Sequence, residues 1–166
     1  VPRIADWATI SLVDDKGMLQ SLEVAHADPE KLRFAKALQR EYPPDPNQDT
    51  GQFRVHRTGR SEVYNEIPDS LIEQSARDAE HLRLLRELKL RSAMIVPMKQ
   101  HDDVLGVISF IRAESKRKGY DEYDLEFAES LAARAALALS NARLYRVAQE
   151  ANRTKTDFLA VMSHEL

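Results

Sequence analysis

The residue best placed for chemistry is His164, in the run Phe158-Leu159-Ala160-Val161-Met162-Ser163-His164-Glu165-Leu166. An imidazole titrates near pH 6.5, so at cellular pH it offers a neutral, nucleophilic nitrogen. Glu165 follows directly, but neighbours on a helix lie about 100° apart, so it would reach the ring only obliquely. The other histidines, His26, His56, His81 and His101, include no pair at i, i+3 or i, i+4, so no two would share a helical face as metal ligands. The chain has no cysteine, which removes disulfides, thiolate metal sites and a cysteine nucleophile.

The element that must carry His164 runs from Asp121 to Leu166, 46 residues without Gly or Pro. Asp121 followed by Asp124 gives a capping-box-like start, and the whole predicts one helix of roughly 65 to 70 Å at about 1.5 Å per residue. No core of a chain this size needs such a rod, so part of it is expected to leave the domain. Residues 131–142 are apolar at nine of twelve positions. This stretch is expected to be covered on two sides, by its own sheet and by the same helix of a second copy in a parallel homodimer. The dimer residues read from the pattern are Leu131, Ala135, Ala138, Ala142 and Tyr145. Leu131, Ala138, Tyr145, Asn152, Leu159 and Leu166 recur every seven residues, and the second seam position can follow either of two registers. Ala135, Ala142, Gln149, Thr156 and Ser163 are apolar only early; Arg134, Asn141, Ala148, Lys155 and Met162 are apolar only late. The seam is therefore expected to change register between about Tyr145 and Thr156.

Upstream, period-2 alternation over 7–13, turn chemistry at Asp14-Asp15-Lys16-Gly17 and a returning run over 18–26 predict a hairpin. Asp28-Pro29-Glu30 opens a helix to about Glu41, and Tyr42-Pro43-Pro44-Asp45-Pro46-Asn47 breaks it. A short helix over 50–58 closed by Gly59, an edge strand over 61–65, a segment capped by Asp69 or Ser70 through Ala76 and a helix over 78–88 follow. Two continuous apolar strands, 93–99 and 104–112, flank Gln100-His101-Asp102-Asp103 as a second hairpin, central and covered on both faces. The layout is α+β: a mostly antiparallel sheet of about five to six strands with helices on both faces and a long C-terminal helix.

Composition narrows the classes of function. With 24 basic and 27 acidic residues the charges nearly balance, so nothing favours nucleic acid or anionic lipid. The longest nearly unbroken apolar run, 104–111, is well short of the roughly 18 residues that span a bilayer, so no membrane contact is expected. The lack of an initiator Met and the helix ending within a motif imply a piece of a longer protein.

The run ending at Leu166 resembles the phosphoacceptor box of sensor histidine kinases, a helical F-x-x-x-[apolar]-S-H-E-[L/F] run followed by Arg-Thr-Pro; the chain stops before the Arg-Thr-Pro. The resemblance implies that His164 is the phosphorylated residue and Glu165 the acidic neighbour in proton handling. Asp14-Asp15-Lys16-Gly17, Thr58-Gly59-Arg60, 90–98, Val104-Leu105-Gly106-Val107-Ile108 and Asn141-Ala142-Arg143-Leu144-Tyr145, in that order, resemble a GAF domain over about residues 1–148. Residues 149–166 are then a signalling helix and the truncated start of the phosphoacceptor helix.

Domains of this family commonly hold a small molecule between the sheet and the elements joining the third and fourth strands. The resemblance implies Phe53, Tyr64, Ile72, Leu85 and Ser92 as the lining, with Thr9 and Ser11 from the first strand; such domains also serve as unliganded dimer scaffolds. Bilin attachment and methionine sulfoxide reduction in the family use Cys and are excluded here. The Asn-Lys…Phe…Asp-Glu pattern of members that bind cyclic nucleotides is absent. A haem or other metal would rest on a single His, and no metal or cofactor is assigned; an unidentified small molecule stays open.

The function implied is a sensory input module that dimerises through its last helix and relays a signal to His164. ATP and Mg would belong to the parent kinase, whose ATP-binding domain and a response regulator are the further partners, in the cytoplasm. For the piece itself no enzyme activity is expected, since a small-molecule enzyme would need a nucleophile, a Gly-rich loop or clustered carboxylates and the sequence shows none.

Overall fold

The computed structural model describes residues 4–114, 117 and 119–165, apart from the side chains of 21, 22 and 165. β1 (Trp7–Val13) and β2 (Leu19–His26) form the opening antiparallel hairpin. Asp14 builds the turn, its Oδ1 accepting from the N–H of Lys16 and of Met18, both at 2.9 Å. α1 (Pro29–Glu41) begins where Asp28 Oδ1 accepts from Glu30 N–H at 2.8 Å, with Pro29 supplying a fixed φ in the first turn. It ends at Tyr42, ahead of the proline loop.

α2 (Gly51–Thr58) stops at Gly59, which takes the left-handed conformation at φ 62°. The edge strand β3 (Glu62–Tyr64) is followed by α3 (Asp69–Ser75) and α4 (Ala79–Glu87). The cap of α3 differs from the sequence expectation. Pro68 occupies the cap position without a side-chain bond, because the Asp69 carboxylate is taken by the Arg86 guanidinium at 2.5 Å. β4 (Ser92–Gln100) and β5 (Asp103–Arg112) form the second hairpin around His101, itself at φ 56°. α5 (Glu122–Glu165) opens on a reciprocal capping box: Asp121 Oδ1 accepts from Asp124 N–H at 2.9 Å, and Asp124 Oδ2 from Asp121 N–H at 3.2 Å.

The five strands lie in the order β2-β1-β5-β4-β3, each neighbouring pair antiparallel. Side chains alternate across β4. Met94, Val96 and Met98 face α5, where Ala128, Ala132 and Ala136 are small enough to let the helix lie close to the sheet. Ile95 faces the other way, with Val55 of α2 and Val107. On that same side Trp7, Val24 and Ala113 meet Leu32 and Ala35 of α1 and Leu88 after α4. Helices therefore cover both faces, and fully burying each large apolar side chain contributes about 1.5–3 kcal/mol.

Gly106 of β5 is paired with Met98 of β4 on one side and Leu12 of β1 on the other. A Cβ there would lie 2.4 Å from the Ser11 carbonyl oxygen and 2.4 Å from Met98 Cε, so no larger residue fits without moving backbone.

α5 divides in two. Up to Ser140 it packs on the sheet by one face, and from 141 to 164 every side chain is exposed. Opposite the alanine face, Tyr123, Phe127 and Leu131 form an apolar stripe in solvent.

Candidate functional site

Between the sheet and the helices on the α1 side lies a cavity of about 540 Å³, within the size range of small-molecule sites. Trp7 and Thr9 of β1 with Ile111 of β5 form its sheet wall. Leu38 of α1 and Leu85 and His81 of α4 form the helical wall, and the proline loop from Tyr42 to Asp45 folds over it. Arg77, between α3 and α4, fastens that loop by donating from its guanidinium to the Pro43 carbonyl.

His81 is the polar residue set deepest in the wall, 7% exposed. Its ring is stacked on Tyr42, centroids 4.1 Å apart and planes 7° apart. Its Nδ1 accepts from the Arg77 backbone N–H at 3.2 Å, while its own backbone N–H donates to the cap residue Asp78 at 2.8 Å. Burial pushes the imidazole pKa down and nearby Arg77 adds to that, outweighing the pull of Asp78. His81 is thus neutral near pH 7, and with Nδ1 occupied as an acceptor its proton is on Nε2.

Of the lining residues implied by the sequence, Thr9 and Leu85 meet in this cavity. Ser11 shares the sheet face of Thr9 but lies where α2 covers it, donating to Gln52 Oε1 at 2.9 Å. Phe53 is buried and lines an adjoining depression of about 470 Å³ with Gln52 and Leu19, which shares Val24, Gln39, Pro43 and Pro44 with the cavity. Tyr64 packs against Val55, Ile95 and Val107, and its hydroxyl donates to Glu62 Oε2 at 2.5 Å. Ile72 is half-buried on α3, away from the cavity lining. Ser92 alternates onto the α5 face with Met94; it is fully buried, and no partner for its Oγ is present among the described residues. The resemblance did not point to Trp7, His81 or the loop at Tyr42. The signals were there: the first residue of an alternating strand, and a proline-rich break after an amphipathic helix.

His164 lies on the exposed end of α5. The Glu165 side chain, Leu166, Lys116 and Lys118 fall outside the described residues. Of the dimer residues, Ala135 is half-buried, Leu131 is 40% and Tyr145 71% exposed, and Ala138 and Ala142 are exposed. Both arginines of α4 are paired: Arg83 with Glu80 and Glu87, Arg86 with Asp69 and Glu73. Among the described residues no group of three His, Asp or Glu could hold a metal, and no helix is long and apolar enough to cross a membrane.

The end of β5 ties the cavity to α5. Next to Ile111, the Arg112 guanidinium is buried; it donates to the Ile4 carbonyl at 3.0 Å and to the Gly119 carbonyl, and lies 4.0 Å above the Tyr120 ring. It also pairs with Asp124 in the first turn of α5 at 3.3 Å.

The GAF domain family pattern matches residues 4–139. The chain belongs to the GAF domain family. Solved structures agree with this fold. The GAF-B domain of DevS from Mycobacterium smegmatis is 20% identical, with 86% of this chain and 85% of that one covered at a TM-score of 0.59. The GAF domain region of a protein from Geobacter sulfurreducens PCA is also 20% identical, with 82% of each chain covered at 0.57. A domain described as part of a two-component sensor histidine kinase from Sinorhizobium meliloti 1021 is 10% identical, with 87% and 86% covered at 0.55. No curated protein matches the sequence. A regulatory or sensory domain of signal transduction is what the family defines.

Proposed function

We propose that the chain is the input module of a two-component sensor histidine kinase, relaying the state of its cavity through α5 to the phosphoacceptor His164. The observation that carries this reading is the division of α5. Its first half is fixed to the sheet, whereas its second half stands free and carries the phosphoacceptor-like run. The apolar stripe from Tyr123 through Leu131, Ala138 and Tyr145 faces away from the sheet and fits a second copy in a parallel dimer. His164 would attack the γ-phosphorus of ATP through its neutral nitrogen, displacing ADP, with Glu165 handling the ring proton. The ATP and Mg are held by an ATP-binding domain of the same protein, and the phosphoryl group then passes to a response regulator. This places the module in the cytoplasm.

The test is phosphorylation of the longer protein that contains the ATP-binding domain. His164→Gln abolishes acid-labile phosphate while circular dichroism and melting stay unchanged. Phosphate retained by that variant overturns the assignment.

A further inference from the structure

We propose that the cavity takes an uncharged, largely apolar ring compound that turns one hydrogen-bond acceptor of the carbonyl class towards the Nε2–H of His81. This rests on reading the cavity as the ligand site and adds the chemistry of its occupant.

The donor is defined by what its neighbours leave free. His81 Nδ1 accepts from Arg77, so the neutral ring carries its proton on Nε2, and among the described residues no acceptor takes that proton. The Nε2 is not among the enclosed side-chain atoms left without a partner, so its N–H is open, and an acceptor on a ligand could replace water there. Burial holds the ring neutral, so it offers a hydrogen bond and no charge.

The remaining lining selects against an ion. Its charged residues are Asp45 and Arg77, one of each sign and both exposed at the rim. Asp45 already accepts from the Asn47 backbone and Arg77 already donates to Pro43. Deeper in, Leu38, Leu85, Leu88 and Ile111 offer no countercharge, and an ion placed there would lose its hydration without compensation. Flat surfaces are present in the Trp7 indole and the stacked Tyr42–His81 pair, which favour a ring over a flexible chain.

Three probes of similar size separate these claims: acetophenone, neutral with an acceptor; ethylbenzene, neutral without one; and benzoate, an anion. Trp7 is the single tryptophan of the chain, so its indole N–H resonance reports occupancy. Acetophenone and ethylbenzene are expected to shift that resonance, with benzoate at least about tenfold weaker than acetophenone. His81→Phe keeps a ring on Tyr42 and removes the donor, and should lower the acetophenone-to-ethylbenzene affinity ratio by about five- to tenfold. Should that variant fail to fold, long-range nitrogen–proton spectra of the native imidazole decide: acetophenone moves the Nε2 signal and ethylbenzene does not.

Binding of both neutral probes with an unchanged ratio, or an unmoved Nε2 signal, overturns the acceptor chemistry and leaves the cavity a ligand site. Tighter binding of benzoate overturns the neutral class. Failure of all three probes to shift Trp7 at millimolar concentration overturns both the proposal and the ligand-site reading on which it rests.

Discussion

Arg112 and Asp124 meet at 3.3 Å with 2% and 11% of their side chains exposed, so the last residue of β5 grips the first turn of α5 inside the molecule. A charge withdrawn from water this completely depends on its partner. Asp124→Ala leaves the guanidinium short of a countercharge, removes a second pair with Arg117 and breaks the capping box. The expected loss is about 3–5 kcal/mol in urea unfolding. Arg83→Ala, which breaks two exposed pairs on α4, should leave the urea midpoint almost unchanged. Equal losses for the two variants would contradict the special position of Arg112.

Gly106→Ala tests the close fit of β5 between β1 and β4. Met98 could swing aside, but the Ser11 carbonyl belongs to the neighbouring strand and cannot move without disturbing the ladder. A loss of about 1–3 kcal/mol in the urea midpoint is expected. A neutral result would mean that β1 is held less tightly against β5 than the register implies.

Acid should weaken the fold through two histidines. Burial lowers the pKa of His81 and of His56, with Arg77 and Arg57 respectively adding to it. Each is thus harder to protonate folded than unfolded. The unfolded chain takes up protons first as pH falls below about 6.5, so stability is full above that value and drains as pH drops through the folded pKa values. Melting temperature should be level between pH 7 and 8 and lower at pH 5.5, and His81→Phe should show a smaller drop. A melting temperature that rises on acidification would reverse the sign and refute the assignment.

The dimer and its seam are tested in solution and in the longer protein. Light scattering should give two chains per particle, and Leu131→Asp should give one without changing the sheet, because Leu131 is 40% exposed while the helix is held to the sheet by Ala128, Ala132 and Ala136. Between Ala148 and Asn152, inserting seven residues preserves the phase of the helix and should preserve regulated phosphorylation. Four residues rotate the two halves and should lock it on or off. Identical regulation after both insertions would show that helix phase carries no signal.

Local chemistry was legible in the residues. Asp28 with Pro29 started α1, Asp121 with Asp124 started α5, Gly59 ended α2 and Asp14 turned the first hairpin, because each device is satisfied within a few residues of its own backbone. The unbroken apolar runs likewise marked β4 and β5 as covered on both faces. The cap of α3 was misread because Asp69 is claimed by Arg86, seventeen residues away, and no local rule registers such a competitor. The insertion of β1 between β2 and β5 depends on two faces finding their cover, which periodicity does not specify. The cavity is further still from the sequence. It is the space left where the sheet, the helices on that side and the proline loop fail to fill the volume between them, so its walls share no spacing. Folding fixed the His81 proton on Nε2 by bringing the Arg77 backbone N–H to Nδ1.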